Sequence, residues 1–378
     1  MWQSFHDAWW RLATRSQPHS FSNALASRVL QTGSIAYQAA VSLRNLAYDR
    51  GWARQVRLPC QVVSVGNLTV GGTGKTACVA LIARKLRVMG QRVAVLSRGY
   101  GGARRHYWLR SEAGRLMVNG EATNADGLAD EPQLLASQLE GVPVLVGPRR
   151  ELTGELACRK FHVDAVILDD GFQHRRLSRD CDIALVHART PLGGWALLPR
   201  GPMREPMASL KRAHVLMVTK ADEALETLAA LRERLRSFNP EAALVTAVHE
   251  PSRLIDGVSG EHSAPSRLHG LRVGLVSSIG DPAGFEATVR RLDAVVLWAL
   301  AFPDHHRYQG GDWARIVEMA HQSRPDAVLT TEKDWVRLQR WTMDERRMTV
   351  PLWILGIEMK ILDGEDALDA RLAGLRAR

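Results

Sequence analysis

The stretch Gly66-Asn67-Leu68-Thr69-Val70-Gly71-Gly72-Thr73-Gly74-Lys75-Thr76 constrains this chain more than any other. An apolar run, Val62-Val63-Ser64-Val65, precedes it. Apolar residues at helical spacing, Val79, Ile82, Ala83 and Leu86, follow it and stop at Gly90, a helix C-cap residue. A strand, a glycine loop and a helix opening on Lys-Thr are the parts of a phosphate-binding P-loop. Glycines let backbone N–H groups turn inward around phosphate oxygens, and the helix N-terminus adds partial positive charge. In that frame Lys75 reaches the β/γ-phosphates and the Thr76 hydroxyl ligates Mg²⁺. Thr69 stands where the usual pattern has its first glycine, and the density of Gly71, Gly72 and Gly74 compensates. Nucleotide contacts are expected from Thr69, Gly71, Gly72, Thr73, Gly74, Lys75, Thr76 and Ala77.

A second signal lies downstream. Ala165-Val166-Ile167-Leu168-Asp169-Asp170-Gly171 is an apolar strand ending in aspartate, which after a P-loop reads as a Walker-B-like element. Its carboxylates, Asp169 and Asp170, can hold Mg²⁺ directly or through water. Within a strand the two would point to opposite sides, one toward the metal and one toward the loop Phe172-Gln173-His174-Arg175-Arg176.

Other strands end in polar loops, the edge where open parallel sheets bind ligands. Val93–Ser97 runs into Arg98-Gly99-Tyr100-Gly101-Gly102, and Val142–Val146 runs into Gly147-Pro148-Arg149-Arg150. Asp130-Glu131-Pro132 reads as a helix start with Asp130 at the N-cap. The proline-rich run from Leu198 to Pro206, which holds Glu205, excludes a regular helix. Near residues 250–270 glycines and prolines replace the apolar runs, marking a linker or an exposed hairpin. A second α/β unit follows, with strands at Val273–Val276, Val295–Trp298 and Ala327–Thr330. Phe302-Pro303-Asp304-His305-His306-Arg307-Tyr308 offers an acid–base cluster, and Leu352–Leu355 is expected to return and pair with the linker.

Charge and length bound the remaining choices. The net charge of +10 favours an anionic partner, but no nucleic-acid motif accompanies it, so no nucleic-acid partner is expected. Cys60, Cys78, Cys158 and Cys181 lack metal-site spacing, which argues against a zinc site or a disulfide framework and fits a reducing compartment. No apolar run reaches the roughly 18 residues of a membrane span. The N-terminal segment pairs Trp2, Phe5, Trp9 and Trp10 with Arg11, Arg15, Arg28, Arg44, Arg50, Arg54 and Arg57 against only Asp7 and Asp49. That composition suits either a membrane-surface helix or an amphipathic helix docked on the domain.

Assembled in this order, Ser64–Thr76, Ser97–Gly102, Asp130–Pro132, Leu168–Arg176, Gly201–Pro206, Phe302–Tyr308 and Thr331–Asp334 resemble the tetraacyldisaccharide 4′-kinase (lipid A 4′-kinase) family. Ala77 departs from the proline common after Lys-Thr in that family. The resemblance implies a P-loop NTPase-type α/β/α N-terminal domain and a smaller α/β C-terminal domain, joined by a two-stranded linker. The expected divisions are a membrane-associating segment over 1–60, a kinase core over 61–250, a linker over 251–270, a smaller domain over 271–348 and a return strand with a helix over 349–378.

The resemblance also implies transfer of the ATP γ-phosphoryl, with Mg²⁺, to the 4′-hydroxyl of a tetraacylated glucosamine disaccharide 1-phosphate, giving lipid IVA. The enzyme would be a peripheral monomer on the anionic cytoplasmic face of a Gram-negative inner membrane. The family's catalytic base carries over to Asp130. Its histidine partner carries over to His305 or His306, with His305 preferred. Arg150, ahead of Arg98, is expected to offset charge on the transferring group together with Lys75. Glu131, Gln173, His174 and Glu205 are expected around the site. Two rival readings stand beside this one. Thr219-Lys220-Ala221-Asp222 resembles the base-reading element of GTPases, which would make the chain a GTPase or metallochaperone-type nucleotide switch. The other rival is a non-catalytic membrane adaptor, which would need no base.

Overall fold

The computed structural model describes residues 21–100, 102–103, 106–113, 115–122, 127–191, 196–341 and 348–375. The tryptophan-rich start, Gly101, Arg104 and Arg105 lie outside the described residues.

The first lobe opens with helix α1 (Phe21–Asp49), strand β1 (Gln61–Asn67), helix α2 (Lys75–Val88) and strand β2 (Val93–Ser97). Three short strands follow, β3 (Tyr107–Glu112), β4 (Arg115–Val118) and β5 (Glu121–Ala122). Next come α3 (Asp130–Gln138), β6 (Val144–Val146), α4 (Arg150–Phe161), β7 (Ala165–Asp169), β8 (Cys181–His187), β9 (Val215–Thr219) and α5 (Leu225–Phe238). The long strand β10 (Ala243–Asp256) leads away, with β11 (His262–Ser263) turning back on it. The second lobe holds β12 (Arg272–Ser277), α6 (Pro282–Arg290), β13 (Val295–Ala301), α7 (Gly310–Ser323), β14 (Ala327–Thr331) and α8 (Glu332–Leu338). Strand β15 (Leu352–Asp363) and helix α9 (Glu365–Ala373) return to the first lobe.

Strand alternation builds three layers. Val63, Val65, Val95, Ile167 and Ile183 face one side of the sheet, where Val79, Ile82 and Leu86 of α2 cover them. Their neighbours Val62, Ala94, Leu96, Val166 and Leu168 face the other side, under Ala157 of α4. Burying each such side chain contributes roughly 1.5–3 kcal/mol. The second lobe repeats the plan, with Phe285 and Val289 of α6 on one face and Trp313, Ile316 and Ala320 of α7 on the other. Helix α9 is less polar than its composition suggests, because Leu368 and Leu372 are buried in the first lobe's core.

The order of the strands positions the site. The path runs β13-β12-β14-β15-β10-β9-β8-β1-β7-β2-β6-β3-β4-β5. Strands β10, β9, β8, β1, β7, β2 and β6 pair in parallel, as do β13, β12, β14 and β15. Among the described residues, the strand pairing that joins these two parallel sets is the antiparallel pair β10–β15. The first residues of β10, Ala243–Thr246, pair with β9, and its last residues, Arg253–Asp256, pair with Gly356–Trp353 next to β14. The antiparallel step therefore reverses the second sheet, and the C-terminal edges of both parallel sets face one cleft. Ligand-binding loops gather at such edges.

Candidate active site

The P-loop forms as its residues require. Gly74 takes the left-handed conformation (φ 84°) immediately before α2, and a Cβ there would lie 2.5 Å from Nε2 of His249. Asn67 Nδ2 donates to Thr73 Oγ1 (2.8 Å), and Thr219 Oγ1 donates to the Thr73 carbonyl (2.9 Å). These bonds hold the loop from β1 and β9. Thr69, the departure from the glycine pattern, bridges to Met203, and Val70 N–H donates to the Pro202 carbonyl. The proline-rich loop thus braces the P-loop. Lys75 Nζ lies 3.4 Å from the Gly71 carbonyl and 3.8 Å from Asp170.

The two aspartates diverge, as their spacing predicted, but by a different route. Asp169 ends β7, and Asp170 lies just past the strand in a left-handed conformation (φ 50°). Asp169 accepts a hydrogen bond from Ser97 Oγ (3.1 Å) and is buried. Burial first, then Glu131 and Asp170, push its carboxyl up to about 6. Burial alone would raise Asp170 too. Arg204, bound through both oxygens at 2.8 and 2.9 Å, and Lys75 instead hold it down at about 2. Arg204 also donates to Asn67 Oδ1, so one guanidinium joins the P-loop strand to the β7 end. Arg150, buried at the start of α4, donates to the Asp169 carbonyl (2.6 Å).

Across the cleft the second lobe supplies the partners of Asp130. Ala129, not Asp130, is the N-cap of α3, and no side chain caps that end. The capping role expected of Asp130 is corrected here. Asp130 is the first helical residue, one position too late to bond the N2 or N3 amide as a cap does, so its carboxylate is free to face the cleft. Its Oδ2 lies 3.7 Å from His305 Nδ1 and 3.6 Å from Arg337 Nη1. Burial favours the neutral acid, but His305, Arg337 and Lys333 outweigh it and keep the Asp130 pKa below its ordinary value. The carboxylate is therefore ionised at neutral pH, the form that accepts a proton.

His305 sits at φ 60°, a conformation disfavoured for a side-chain-bearing residue. Its backbone N–H donates to the Ser278 carbonyl (3.2 Å), and Lys333 Nζ lies 3.2 Å from its Nε2. His306 points elsewhere, pairing with Asp312 at 2.9 Å and stacking on Phe302. Of the two histidines, only His305 contacts Asp130 among the described residues. The whole arrangement rests on Asp334, which is fully buried. Asp334 accepts from Ser278 N–H and Oγ, Tyr308 OH, Thr331 Oγ1 and Arg337. It ties the loops after β12, β13 and β14 together.

The cleft has a volume of about 1830 Å³ and draws lining residues from both lobes. It gathers Gly71, Lys75, Arg98, Asp130, Glu131, Arg150, Asp169, Asp170 and His305 from the residues singled out in the sequence. Gln173 and His174 lie behind it. Gln173 Nε2 donates to the Asn67 carbonyl (2.9 Å), and burial with nearby Arg150 lowers His174 to about 4. Glu205 is fully buried under α1, where Arg44, Asn45 and Arg212 bind its carboxylate. Arg204, Arg337, Lys333 and Ser97 join the site from the structure. None had been given a role, although Ser97, Arg204 and Lys333 stand within the Ser97–Gly102, Gly201–Pro206 and Thr331–Asp334 motifs. The GTPase-like element is engaged by the second lobe, through Lys220–Asp281 (3.4 Å) and Asp222–Arg291 (2.9 Å).

This fold and cleft define a two-lobed P-loop α/β protein, with a phosphate-binding loop on one lobe and a carboxylate–histidine pair spanning both. The family model for tetraacyldisaccharide-1-P 4′-kinases matches residues 26–376, and the chain belongs to that family. It is 42% identical over 366 residues to the tetraacyldisaccharide 4′-kinase of Anaeromyxobacter sp. (strain K), covering 96% of this chain and 93% of the relative. The enzyme of that name from Syntrophus aciditrophicus (strain SB) is 40% identical over 88% of this chain and 89% of its own length. A crystal structure of LpxK from Aquifex aeolicus in complex with ATP superposes with a TM-score of 0.72 at 29% identity, covering 92% of this chain and 98% of that one.

Proposed function

We infer that this chain is an ATP-dependent kinase that phosphorylates the 4′-hydroxyl of a tetraacylated glucosamine disaccharide 1-phosphate. Family membership supports the reaction, and one observation carries the assignment of roles. Asp130, from the P-loop lobe, meets His305 and Arg337, from the other lobe, on the same cleft that Lys75 lines.

A sugar hydroxyl is a poor nucleophile, so a carboxylate must take its proton as the O–P bond forms. Asp130 is that group. His305 orients it, and Arg337 keeps it ionised. Lys75 and Arg150 offset charge on the transferring phosphoryl, which moves from the β-phosphate oxygen of ATP to the acceptor oxygen. The 3.7 Å separation of His305 and Asp130 exceeds a hydrogen bond by less than ~1 Å, so a small closure of the lobes completes the pair and excludes water.

The donor set fits Mg²⁺. Asp169 and Glu131 are hard oxygen ligands, and Arg150 and Lys75 only partly offset the burial that pushes the Asp169 carboxyl up to about 6. Asp169, Glu131 and the Thr76 hydroxyl would hold the ion, with Asp170 occupied by Arg204 and Lys75. Bound Mg²⁺ would supply charge neutralisation at the β- and γ-phosphates. Such an ion keeps waters and phosphate oxygens in its shell and needs only one or two carboxylates.

The acceptor side of the cleft is aromatic and basic. Trp335, Arg340 and Trp341 line it beside Arg337. Indole faces suit sugar rings, and Arg340 suits the 1-phosphate. The membrane reading rests on α1. One of its faces is docked, through Ser34 to the Leu197 carbonyl, Tyr37 to the Arg204 carbonyl and Asn45 to Glu205. The opposite face exposes Val29, Ile35, Leu43 and Leu46, with Trp52 beyond. No described helix is long and apolar enough to cross a membrane. An apolar stripe flanked by Arg28, Arg44 and Arg50 suits peripheral docking on an anionic leaflet.

The test is turnover with ATP and with GTP, each with and without the purified disaccharide 1-phosphate. Acceptor-dependent consumption of ATP supports the kinase. Acceptor-independent GTP hydrolysis would support the nucleotide switch instead.

A further inference from the structure

Cys60 and Cys158 lie 98 positions apart in the chain, yet their Sγ atoms are 2.9 Å apart. Both are free thiols. A disulfide bond is about 2.05 Å long, so closing the pair needs an approach of under ~1 Å.

The helix stripe brings them together. Arg150, Gly154 and Cys158 follow one another at i, i+4 and i+8 along one face of α4. Leu58 and Cys60 stand two apart in the segment that leads into β1. A Cβ at Gly154 would collide with the Leu58 side chain, so the glycine lets α4 lie directly on this segment. One turn further on, Cys158 meets Cys60. Both pack in one cluster with Ala157, Leu96 and Leu145. Cys60 is buried, whereas Cys158 is partly exposed. Cys78 and Cys181 are both buried, and Cys78 contacts Met217 instead.

We propose that Cys60 and Cys158 form a reversible dithiol–disulfide modification site whose oxidant is a low-molecular-weight disulfide of the glutathione class. Cys158, the accessible thiol, reacts first. Its thiolate attacks one sulfur of the oxidant, forming a mixed disulfide and releasing one small thiolate, which takes up the proton lost from Cys158. Cys60 then gives up its proton and attacks Cys158 Sγ. The Cys60–Cys158 bond forms, the mixed bond breaks, and the second small thiolate leaves as a thiol. The protein loses two hydrogens and the oxidant gains them. Burial raises the Cys60 thiol pKa, which makes Cys60 a poor target for a dissolved oxidant. Held against a mixed disulfide on Cys158, the same group has a high effective concentration.

The bond joins two parts of the site. Helix α4 begins at Arg150, which donates to the Asp169 carbonyl, and β1 ends in the P-loop. The cross-link pins the arginine's helix to the strand that carries the phosphate loop. It also closes a long loop and so restricts the unfolded chain.

The experiment equilibrates the full chain with oxidised glutathione, then with dithiothreitol. Free thiols are counted after denaturation, and non-reduced peptides are mapped by mass spectrometry. The expected result is loss of two thiols, a peptide linking Cys60 to Cys158, and a higher thermal midpoint, all reversed by dithiothreitol. Cys60→Ser should stop at a glutathione adduct on Cys158, and Cys158→Ser should leave Cys60 unmodified. Four free thiols after equilibration, stable glutathione adducts on the wild type, or a link involving Cys78 or Cys181 would each overturn the proposal. The wild-type peptide map needs no variant to fold.

Discussion

Asp130 Oδ2 and His305 Nδ1 approach to 3.7 Å from opposite lobes of the molecule. No local contact brings them together. The antiparallel pair β10–β15 reverses the second sheet, so the loops after β13 and β14 face the start of α3. Replacing Asp130 with Asn removes the proposed proton acceptor but keeps the shape. Turnover should fall by about 10²–10⁴-fold, the usual worth of a general base. The ATP dissociation constant, measured by calorimetry, should stay within a few-fold of wild type.

The two histidines should separate cleanly. His305→Ala should lower kcat with little effect on the thermal midpoint, since His305 is half-exposed. His306→Ala should leave the chemistry nearly intact, but cost about 1–2 kcal/mol of stability by removing the Asp312 bond and the Phe302 stack. Equal losses of turnover in both variants would contradict this division.

How much of this was legible in the sequence differs from residue to residue. Lys75 and Asp169 were readable as cleft residues because a strand, its ending residue and the next helix are neighbours in the chain. Asp130 was readable only through the family motif, and its capping role was misassigned. Asp-Glu-Pro suits either an N-cap or a first helical turn, and only the observed backbone separates them. Arg204 and Arg337 escaped because their partners, Asp170 and Asp130, are remote in sequence. Such pairings follow from sheet order and from the direction of α8, neither of which has a local signature. Glu205 was expected around the site, but it is buried under α1 with Arg44, Asn45 and Arg212, a packing that could not be read from the loop that holds it.

Asp169 yields a pH prediction. Its folded-state carboxyl is raised to about 6, above the unfolded value of about 3.9. The folded protein therefore binds more protons than the unfolded chain between those values, and this contribution to stability is lost as pH rises through about 6. Without nucleotide or Mg²⁺, Asp169→Asn should raise stability at pH 7.5 by on the order of 1–3 kcal/mol. The gain should disappear near pH 4. The same substitution should abolish turnover. Denaturant melts at the two pH values check the first claim, and a variant less stable than wild type at pH 7.5 would refute it.

The exposed face of α1 gives a surface prediction. Leu43→Glu combined with Leu46→Glu places two charges on the apolar stripe, away from the docked face. Flotation with anionic liposomes should drop sharply, and turnover on a short-chain, detergent-free acceptor should be unchanged. Undiminished flotation would place the attachment elsewhere in the chain.

Glu205 tests the packing beneath the site. Three partners, Arg44, Asn45 and Arg212, meet its fully buried carboxylate. Glu205→Ala would leave the largely buried Arg212 uncompensated and the Asn45 amide without its carboxylate partner, and should cost about 3–5 kcal/mol in chemical denaturation. A loss below about 1 kcal/mol would mean that water readily replaces the carboxylate.

The most direct measurement follows the phosphorus. The full-length protein is incubated with γ-labelled ATP, Mg²⁺ and tetraacyldisaccharide 1-phosphate, alongside Asp130→Asn, and the labelled products are separated and mapped. Label at the 4′ position of the acceptor with wild-type protein, reduced by about 10²–10⁴-fold in an Asp130→Asn variant that still binds ATP, is the predicted outcome. Label recovered only as inorganic phosphate, or acceptor labelling that persists undiminished in Asp130→Asn, would contradict the account.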